Sequence, residues 1–225
     1  MRKELKYNIT FNDIEILKGR LDNFISKDSN CIKEKYTITS LYFDDYNMTS
    51  YNQVKCGISE RWKYRIRFYN YDDSYIKLEK KEKVNGLTNK KSIVIDKKTI
   101  DKIINRSLVI GSFNEPLLNE FILKIYNNLL RPVICIEYDR IPYVYRTGNV
   151  RITLDYNIRY TNKFDDIFNK EKRVITLDEK VLEIKYDEFI PDFIRYRLEL
   201  NNLEETAFSK YAKCMDKLLG GKVWF

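Results

Sequence analysis

Histidine is absent from this 225-residue chain. That excludes histidine general bases, Ser-His-Asp and Cys-His nucleophile systems, and imidazole metal sites. A bound metal would have to rest on oxygen ligands, which favours Mg²⁺ or Mn²⁺. Cysteine is sparse: Cys31, Cys56, Cys135 and Cys214 lie far apart and form no CxxC pair. They read as free thiols of a reducing compartment, so a cytoplasmic location is expected. Seven glycines and four prolines leave little material for flexible linkers, and residues 1–225 are expected to form one domain. No apolar run reaches the roughly 18 residues that span a bilayer, and charged residues punctuate the start of the chain where a secretory signal would be apolar.

What is present points to a packed protein with an anionic partner. Hydrophobic residues make up 44% and aromatics 14%, enough for a substantial core. Lysine and arginine number 41 against 33 acidic residues, a formal charge of +8. A nucleotide, a polyanion, a nucleic acid or an anionic membrane would each answer to that excess.

Arg61–Lys83 concentrates the charge. It reads as two strands joined by a polar turn at Asn70, Asp72, Asp73 and Ser74. Strand side chains alternate faces, so Arg61, Lys63, Arg65 and Arg67 share one face, and Lys77, Glu79, Lys81 and Lys83 share one face of the next strand. Further strands are predicted at Lys3–Thr10, Tyr36–Asp44, Lys90–Asp96, Val133–Tyr145, Val150–Tyr160 and Lys180–Tyr186. Asn85-Gly86 reads as a turn. Helices are predicted from the Thr10/Asp13 capping pair to Lys27, with Ile14, Leu17, Leu21, Phe24 and Ile25 as its apolar stripe, at Thr99–Asn105, at Pro116–Leu130 (Leu118, Phe121, Ile122, Ile125 and Leu129 inward), at Pro191–Leu200, and from Ser209 to Gly220-Gly221.

Charged faces recur on Glu4/Lys6, Arg65/Arg67, Lys77/Glu79/Lys81, Arg140, Arg151/Asp155 and Glu183/Lys185. The apolar helix stripes need a partner surface. If helices cover the apolar strand faces, the charged faces are left to line the interior of a sheet of about eight strands. The expected architecture is therefore α+β: a closed antiparallel β-barrel with helices packed outside and a basic tunnel for a polyanion. A nucleic-acid binder would instead carry a convex basic patch.

An ordered set of motifs carries a family resemblance. Lys3-Glu4-Leu5-Lys6-Tyr7, Ser40-Leu41-Tyr42-Phe43-Asp44, Lys63-Tyr64-Arg65-Ile66-Arg67, Leu78-Glu79-Lys80-Lys81, Arg131-Pro132 with Glu137-Tyr138-Asp139-Arg140, Arg151-Ile152-Thr153-Leu154-Asp155, Val181-Leu182-Glu183-Ile184-Lys185 and Ser209-Lys210-Tyr211 follow one another along the chain. Together they resemble the VTC (vacuolar transporter chaperone) catalytic domain of the triphosphate tunnel metalloenzymes. Related CYTH enzymes open with Glu-x-Glu-x-Lys; here Arg2 replaces the first Glu, which favours phosphate binding over a second metal and so the VTC side.

The resemblance implies a polyphosphate polymerase that uses ATP, extends polyphosphate or pyrophosphate, and needs Mn²⁺ or Mg²⁺. A triphosphatase and a non-catalytic polyphosphate- or phosphoinositide-binding module are the alternatives. By motif position, Lys6, Arg65, Arg67, Lys81, Arg140 and Lys210 would be the basic phosphate ligands. Tyr138 and Ser209 would donate to phosphate oxygens, Lys90 would assist (or Lys91 after a one-residue slip), and Glu183 would hold the metal. Read without the resemblance, Glu79 and Glu183 could simply neutralise Lys81 and Lys185. No nucleic-acid partner is expected, and passage of product across a membrane would need a separate membrane protein.

Overall fold

The computed structural model describes residues 2–29, 31, 33–85, 87–109, 111, 113–200 and 203–220. Its strands are β1 (Lys3–Asn8), β2 (Ser26–Lys27), β3 (Tyr36–Asp44), β4 (Arg61–Tyr69), β5 (Ile76–Val84), β6 (Leu87–Ile95), β7 (Arg131–Tyr145), β8 (Val150–Thr161), β9 (Ile175–Leu177) and β10 (Val181–Tyr186). Its helices are α1 (Phe11–Leu21), α2 (Thr49–Lys55), α3 (Lys97–Ile104), α4 (Pro116–Asn127), α5 (Asp192–Leu198) and α6 (Lys210–Leu218). The chain divides into two compact units. The first holds residues 1–37, 138–158 and 176–208, and the second holds 38–137, 159–175 and 209–225.

In the first unit the ladders run β1-β10-β8, with β7 beside β8. β10 lies antiparallel to both β1 and β8, with Lys6 opposite Glu183 and Glu183 opposite Thr153. Ile152, Leu154, Leu182 and Ile184 turn to one side, where they pack with Ile14, Leu17 and Leu21 of α1 and Ile194 and Leu198 of α5. The alternate residues Glu4, Lys6, Arg151, Thr153, Glu183 and Lys185 therefore point to the other side. α1 starts at a capping box: the Thr10 hydroxyl accepts from the Asp13 N–H at 3.2 Å, and the Asp13 carboxylate accepts from the Thr10 N–H at 2.8 Å. The helix stops at Leu21, short of Lys27, because Ser26 and Lys27 pair as β2 with Val144 and Tyr143. Phe24 is accordingly exposed, with the Arg197 guanidinium 3.6 Å from its ring centre.

In the second unit the order is β7-β3-β4-β5-β6. β4 and β5 are joined by a tight turn in which Asn70 and Tyr71 both take left-handed backbone angles. Asn85 is also left-handed in the β5–β6 turn, while Gly86 and Gly221 lie outside the described residues. Leu41, Phe43, Tyr64, Ile66, Phe68, Ile76 and Leu78 pack with α3 and with Leu118, Phe121, Ile122 and Ile125 of α4. α4 ends before Leu129, which takes a left-handed angle and is exposed.

The antiparallel α+β architecture matches the sequence reading, but closure does not. Among the described residues no ladder joins β6 to β1, so the sheet is open where a closed barrel is expected. Both edges have a physical reason to stay unpaired. The outer edge of β1 is taken by the chain near residue 205, through a bridge between Tyr7 and Glu205 and a 2.8 Å bond from the Thr206 N–H to the Lys6 carbonyl. On β6 the run Thr88, Asn89, Lys90, Lys91 and Ser92 is exposed, and edge lysines discourage further pairing.

Candidate functional site

In the second unit the cations of β4, β5 and β6 gather on the side away from α4. Register fixes who meets whom: Arg65 lies opposite Glu79 and Glu79 opposite Ser92, while Lys63 lies opposite Lys81 and Lys81 opposite Lys90. Glu79 is buried and holds the cluster together. Its carboxylate accepts from Arg65 Nε at 2.6 Å, pairs with Lys90 Nζ at 2.5 Å and lies 4.0 Å from Arg67. Burial pushes this carboxyl up, but Arg65, Arg67 and Lys90 more than reverse that and bring its pKa down to about 2. Arg67 Nε also donates to Ser40 Oγ at 3.1 Å, and Arg65 donates to the Tyr42 hydroxyl at 3.3 Å. Lys63, Lys81 and Lys90 stand in line across three strands, and like charges placed directly opposite disfavour the sheet that carries them.

Adjacent lysines on β5 have different duties. Lys80 points to the helix side, where it pairs with Glu82 and Glu120, and the Tyr64 hydroxyl donates to Glu120 at 2.6 Å. Lys91 is opposite Lys80 and shares that side, so register puts Lys90 rather than Lys91 beside Glu79.

α6 is tied to the same unit through Tyr211. Its ring stacks on Tyr42 at 5.0 Å, and its hydroxyl donates to the buried Asp44 at 2.6 Å. Asp44 also accepts from the N–H groups of Ser50 and Tyr51 at 2.9 Å, which anchors α2 to the same carboxylate. Since Tyr42 touches Arg65, this stack sets the start of α6 on the basic side of the unit. Ser209 caps the helix, its oxygen accepting from the Ala212 N–H at 3.4 Å, and Lys210 is the first helical residue. Helix N-termini offer N–H groups and positive potential to anions.

The first unit holds Lys6, Tyr138, Arg140 and Glu183. Lys6 Nζ pairs with Glu4 at 2.8 Å and donates to the Phe208 carbonyl at 3.1 Å. Lys185 pairs with Glu183 and lies 3.7 Å from Glu4. Burial raises the Glu4 carboxyl, but Lys185 and Lys6 outweigh it and hold the pKa below its usual value. Arg140 grips the buried Asp155 with two bonds, Nε at 2.6 Å and Nη2 at 2.7 Å, and its guanidinium lies 5.3 Å from the Tyr138 ring centre. Asp155 keeps Arg140 charged despite its burial.

Could this donor set take a divalent ion? Among the described residues no group of three or more carboxylates and thiols gathers into a cage. Mg²⁺ and Mn²⁺ need no such cage, because they use one or two carboxylates and complete their shells with water and phosphate oxygens. Glu183 with Glu4 nearby supplies such carboxylates, and the hydroxyl of Thr153, opposite Glu183, is buried without a hydrogen-bond partner. The residues fit a phosphate-bridged ion held by Glu183.

Three participants escape the sequence reading. Glu79 neutralises Arg65 and Lys90 across the ladders, where proximity in sequence suggests Lys81. Asp155 belongs to Arg140, 15 residues away in the chain. Tyr42 links Arg65 to α6. Strand register alone would disclose the first, and the second spans the short β7–β8 connection at Thr147–Asn149; the third needs the tertiary structure.

A family model described as VTC domain matches residues 1–219. No curated protein matches. Two solved structures resemble the fold. The PH1819 protein from Pyrococcus horikoshii OT3 is 14% identical, with a TM-score of 0.51 over 96% of this chain and 99% of that one. A "putative adenylate cyclase" from Bacillus halodurans is 10% identical, with a TM-score of 0.53 over 98% of this chain and 92% of that one.

Proposed function

Because this chain belongs to the VTC domain family, within the triphosphate tunnel superfamily, we propose that it is a metal-dependent polyphosphate polymerase that transfers the γ-phosphate of ATP to a growing polyphosphate chain. The observation that carries this reading is the cluster around Glu79, where one buried carboxylate serves Arg65, Arg67 and Lys90 beside the Lys63-Lys81-Lys90 row. A strand face so rich in cations is stabilised when an oligophosphate adds negative charge to it.

The chemistry needs no histidine. An oxygen of the chain's terminal phosphate is already anionic. It attacks the γ-phosphorus, a new P–O–P bond forms, the bond to the β-phosphate oxygen breaks, and ADP leaves carrying that electron pair. Phosphoryl transfer of this kind depends on positioning and charge neutralisation. Arg65 and Arg67 offer planar forks to phosphate oxygens, and Lys6, Lys81, Lys90 and Lys210 offer point charges. Arg140 is held in orientation by Asp155, while Tyr138 and Ser209 donate hydroxyl hydrogens. Mn²⁺ or Mg²⁺, held by Glu183, would neutralise charge between phosphates.

The test is incubation of the purified chain with ATP and Mn²⁺, with products separated by gel and by ion-exchange chromatography. Polyphosphate and ADP in step are expected. Free phosphate alone would replace this reading with a triphosphatase, and binding without turnover would replace it with a binding module. Among the described residues no helix is long and apolar enough to cross a membrane.

A further inference from the structure

One end of the basic face in the second unit changes character. Across β4 and β5 the paired rows are Lys63 with Lys81, Arg65 with Glu79 and Arg67 with Lys77. On β6 the first two rows continue with Lys90 and Ser92, but the third continues with Val94. Directly opposed residues of an antiparallel pair point the same way, so Val94 shares the side of Lys77. Its neighbours Ile93 and Ile95 turn to the other side and pack with the core of that unit, while Val94 is 57% exposed. Just before β5, Tyr75 is 48% exposed, and the Lys77 ammonium lies 4.8 Å from its ring centre. A bare aromatic ring and a bare valine thus flank one lysine where the cations stop, and neither fills the core. Past them the β4–β5 turn carries Asp72, which is exposed, and Asp73, which Lys97 pairs at 3.0 Å. A phosphate chain running along the face would meet carboxylates there instead of ammonium groups.

The kind of ligand follows from this order. Cations that give way to an aromatic and an aliphatic surface suit a molecule with a phosphate chain at one end and an uncharged planar ring at the other. Tyr75 is two residues from Lys77, about 7 Å along an extended chain, which leaves room for a sugar between ring and phosphates. A base stacks on an aromatic face without needing hydrogen bonds to its edge. We infer that Tyr75 and Val94 form a platform for the nucleobase of ATP, with Lys77 at the junction between base and phosphates. This rests on the proposed polymerase function, and it assigns the nucleoside end of the donor, which inorganic polyphosphate lacks.

The experiment is calorimetric titration of the full chain with ATP and, separately, with inorganic tripolyphosphate, both in EDTA so that no transfer occurs. The proteins are the wild type, Tyr75→Ala, Tyr75→Phe and Val94→Ser. Tyr75→Ala should weaken ATP about tenfold, the size of one stacked base, and leave tripolyphosphate within about twofold of the wild type. Tyr75→Phe keeps the ring and should hold ATP within about threefold. Val94→Ser should weaken ATP about twofold to fivefold through lost apolar contact, again sparing tripolyphosphate. Because both residues are exposed, the ligand-free melting temperatures should stay within about 2 °C of one another. Unchanged ATP affinity in Tyr75→Ala, equal weakening of ATP and tripolyphosphate, or as great a loss in Tyr75→Phe as in Tyr75→Ala would each overturn the platform while leaving the polymerase reading intact. Failure of the wild type to bind either ligand would overturn that reading, and this inference with it.

Discussion

Replacing Glu79 by Gln would test whether the basic face is built for an anion. The carboxyl is buried and its pKa is about 2, against 4.5 for the unperturbed group. A folded-state pKa below the unfolded one means that stability is fully present above about pH 4.5 and is lost as pH falls towards 2. The difference corresponds to about 3 kcal/mol, an upper figure for a cluster whose Lys90 is half exposed. At pH 7 in phosphate-free buffer, Glu79→Gln should therefore be less stable by roughly 2–3 kcal/mol, which lowers the melting temperature by about 4–12 °C for a chain of this size. Glutamine mimics a protonated glutamate, so the gap between wild type and variant should narrow by about half or more as pH falls from about 5 to 3, and close only below about pH 2. Tripolyphosphate should stabilise the variant more than the wild type, because it replaces the charge that was removed. Urea unfolding between pH 3 and 7, with and without tripolyphosphate, reads all three effects. Equal stability at pH 7, or a gap that persists unchanged at pH 3, would refute the assignment of Glu79 as the counter-charge of this cluster.

Lys80 and Lys81 should behave as opposites: Lys80→Ala should cost about 1 kcal/mol by removing the lysine that ties β5 to Glu120 of α4 while sparing tripolyphosphate affinity, and Lys81→Ala should weaken tripolyphosphate with little change in melting temperature. Arg140→Ala leaves the buried Asp155 without its partner and should cost about 3–5 kcal/mol in denaturant titrations. Charge alone suggests the reverse, since losing a cation should relieve repulsion, so a stable Arg140→Ala protein would contradict the pairing. Glu183→Gln should weaken Mn²⁺ by about tenfold or more, followed by the paramagnetic signal of free Mn²⁺; an unchanged titration would place the ion elsewhere.

Alternation made most of the sheet readable from the chain. Tyr36–Asp44 and Arg61–Tyr69 have the boundaries predicted for them: the first is dense in β-branched and aromatic residues, and the second alternates cations with apolar residues from Arg61 to Phe68. Alternation also placed Arg65, Arg67 and Lys81 on one side and Tyr64, Ile66 and Leu78 on the other. What alternation could not show was pairing across long loops. The two-residue β2 exists only because Val144 and Tyr143 receive it, and β9 only because β8 does. Closure is suggested by strand runs separated by short turns and by charged faces left to line an interior, whereas the residues near Glu205 that take the edge of β1 have no strand pattern of their own. The Tyr211–Asp44 pair is equally silent, since it joins residues 167 apart whose separation in sequence says nothing of their separation in space.

The left-handed backbone of Asn157 (φ 51°) carries a further consequence. Asp155 bonds to Arg140, yet Asn157, two residues on, bonds to Asp139 at 3.3 Å, so the neighbours Arg140 and Asp139 are met by residues that ordinary alternation would put on one side. Asn157 therefore acts as a phase switch in β8: upstream of it odd-numbered residues join the charged side, and downstream they leave it. Asparagine tolerates this geometry where a β-branched residue would be strained. Loss of a single residue beside it would rotate one half of the strand relative to the other and would move Arg151, Thr153 and Asp155 together, as a block, off the face they share with Glu183.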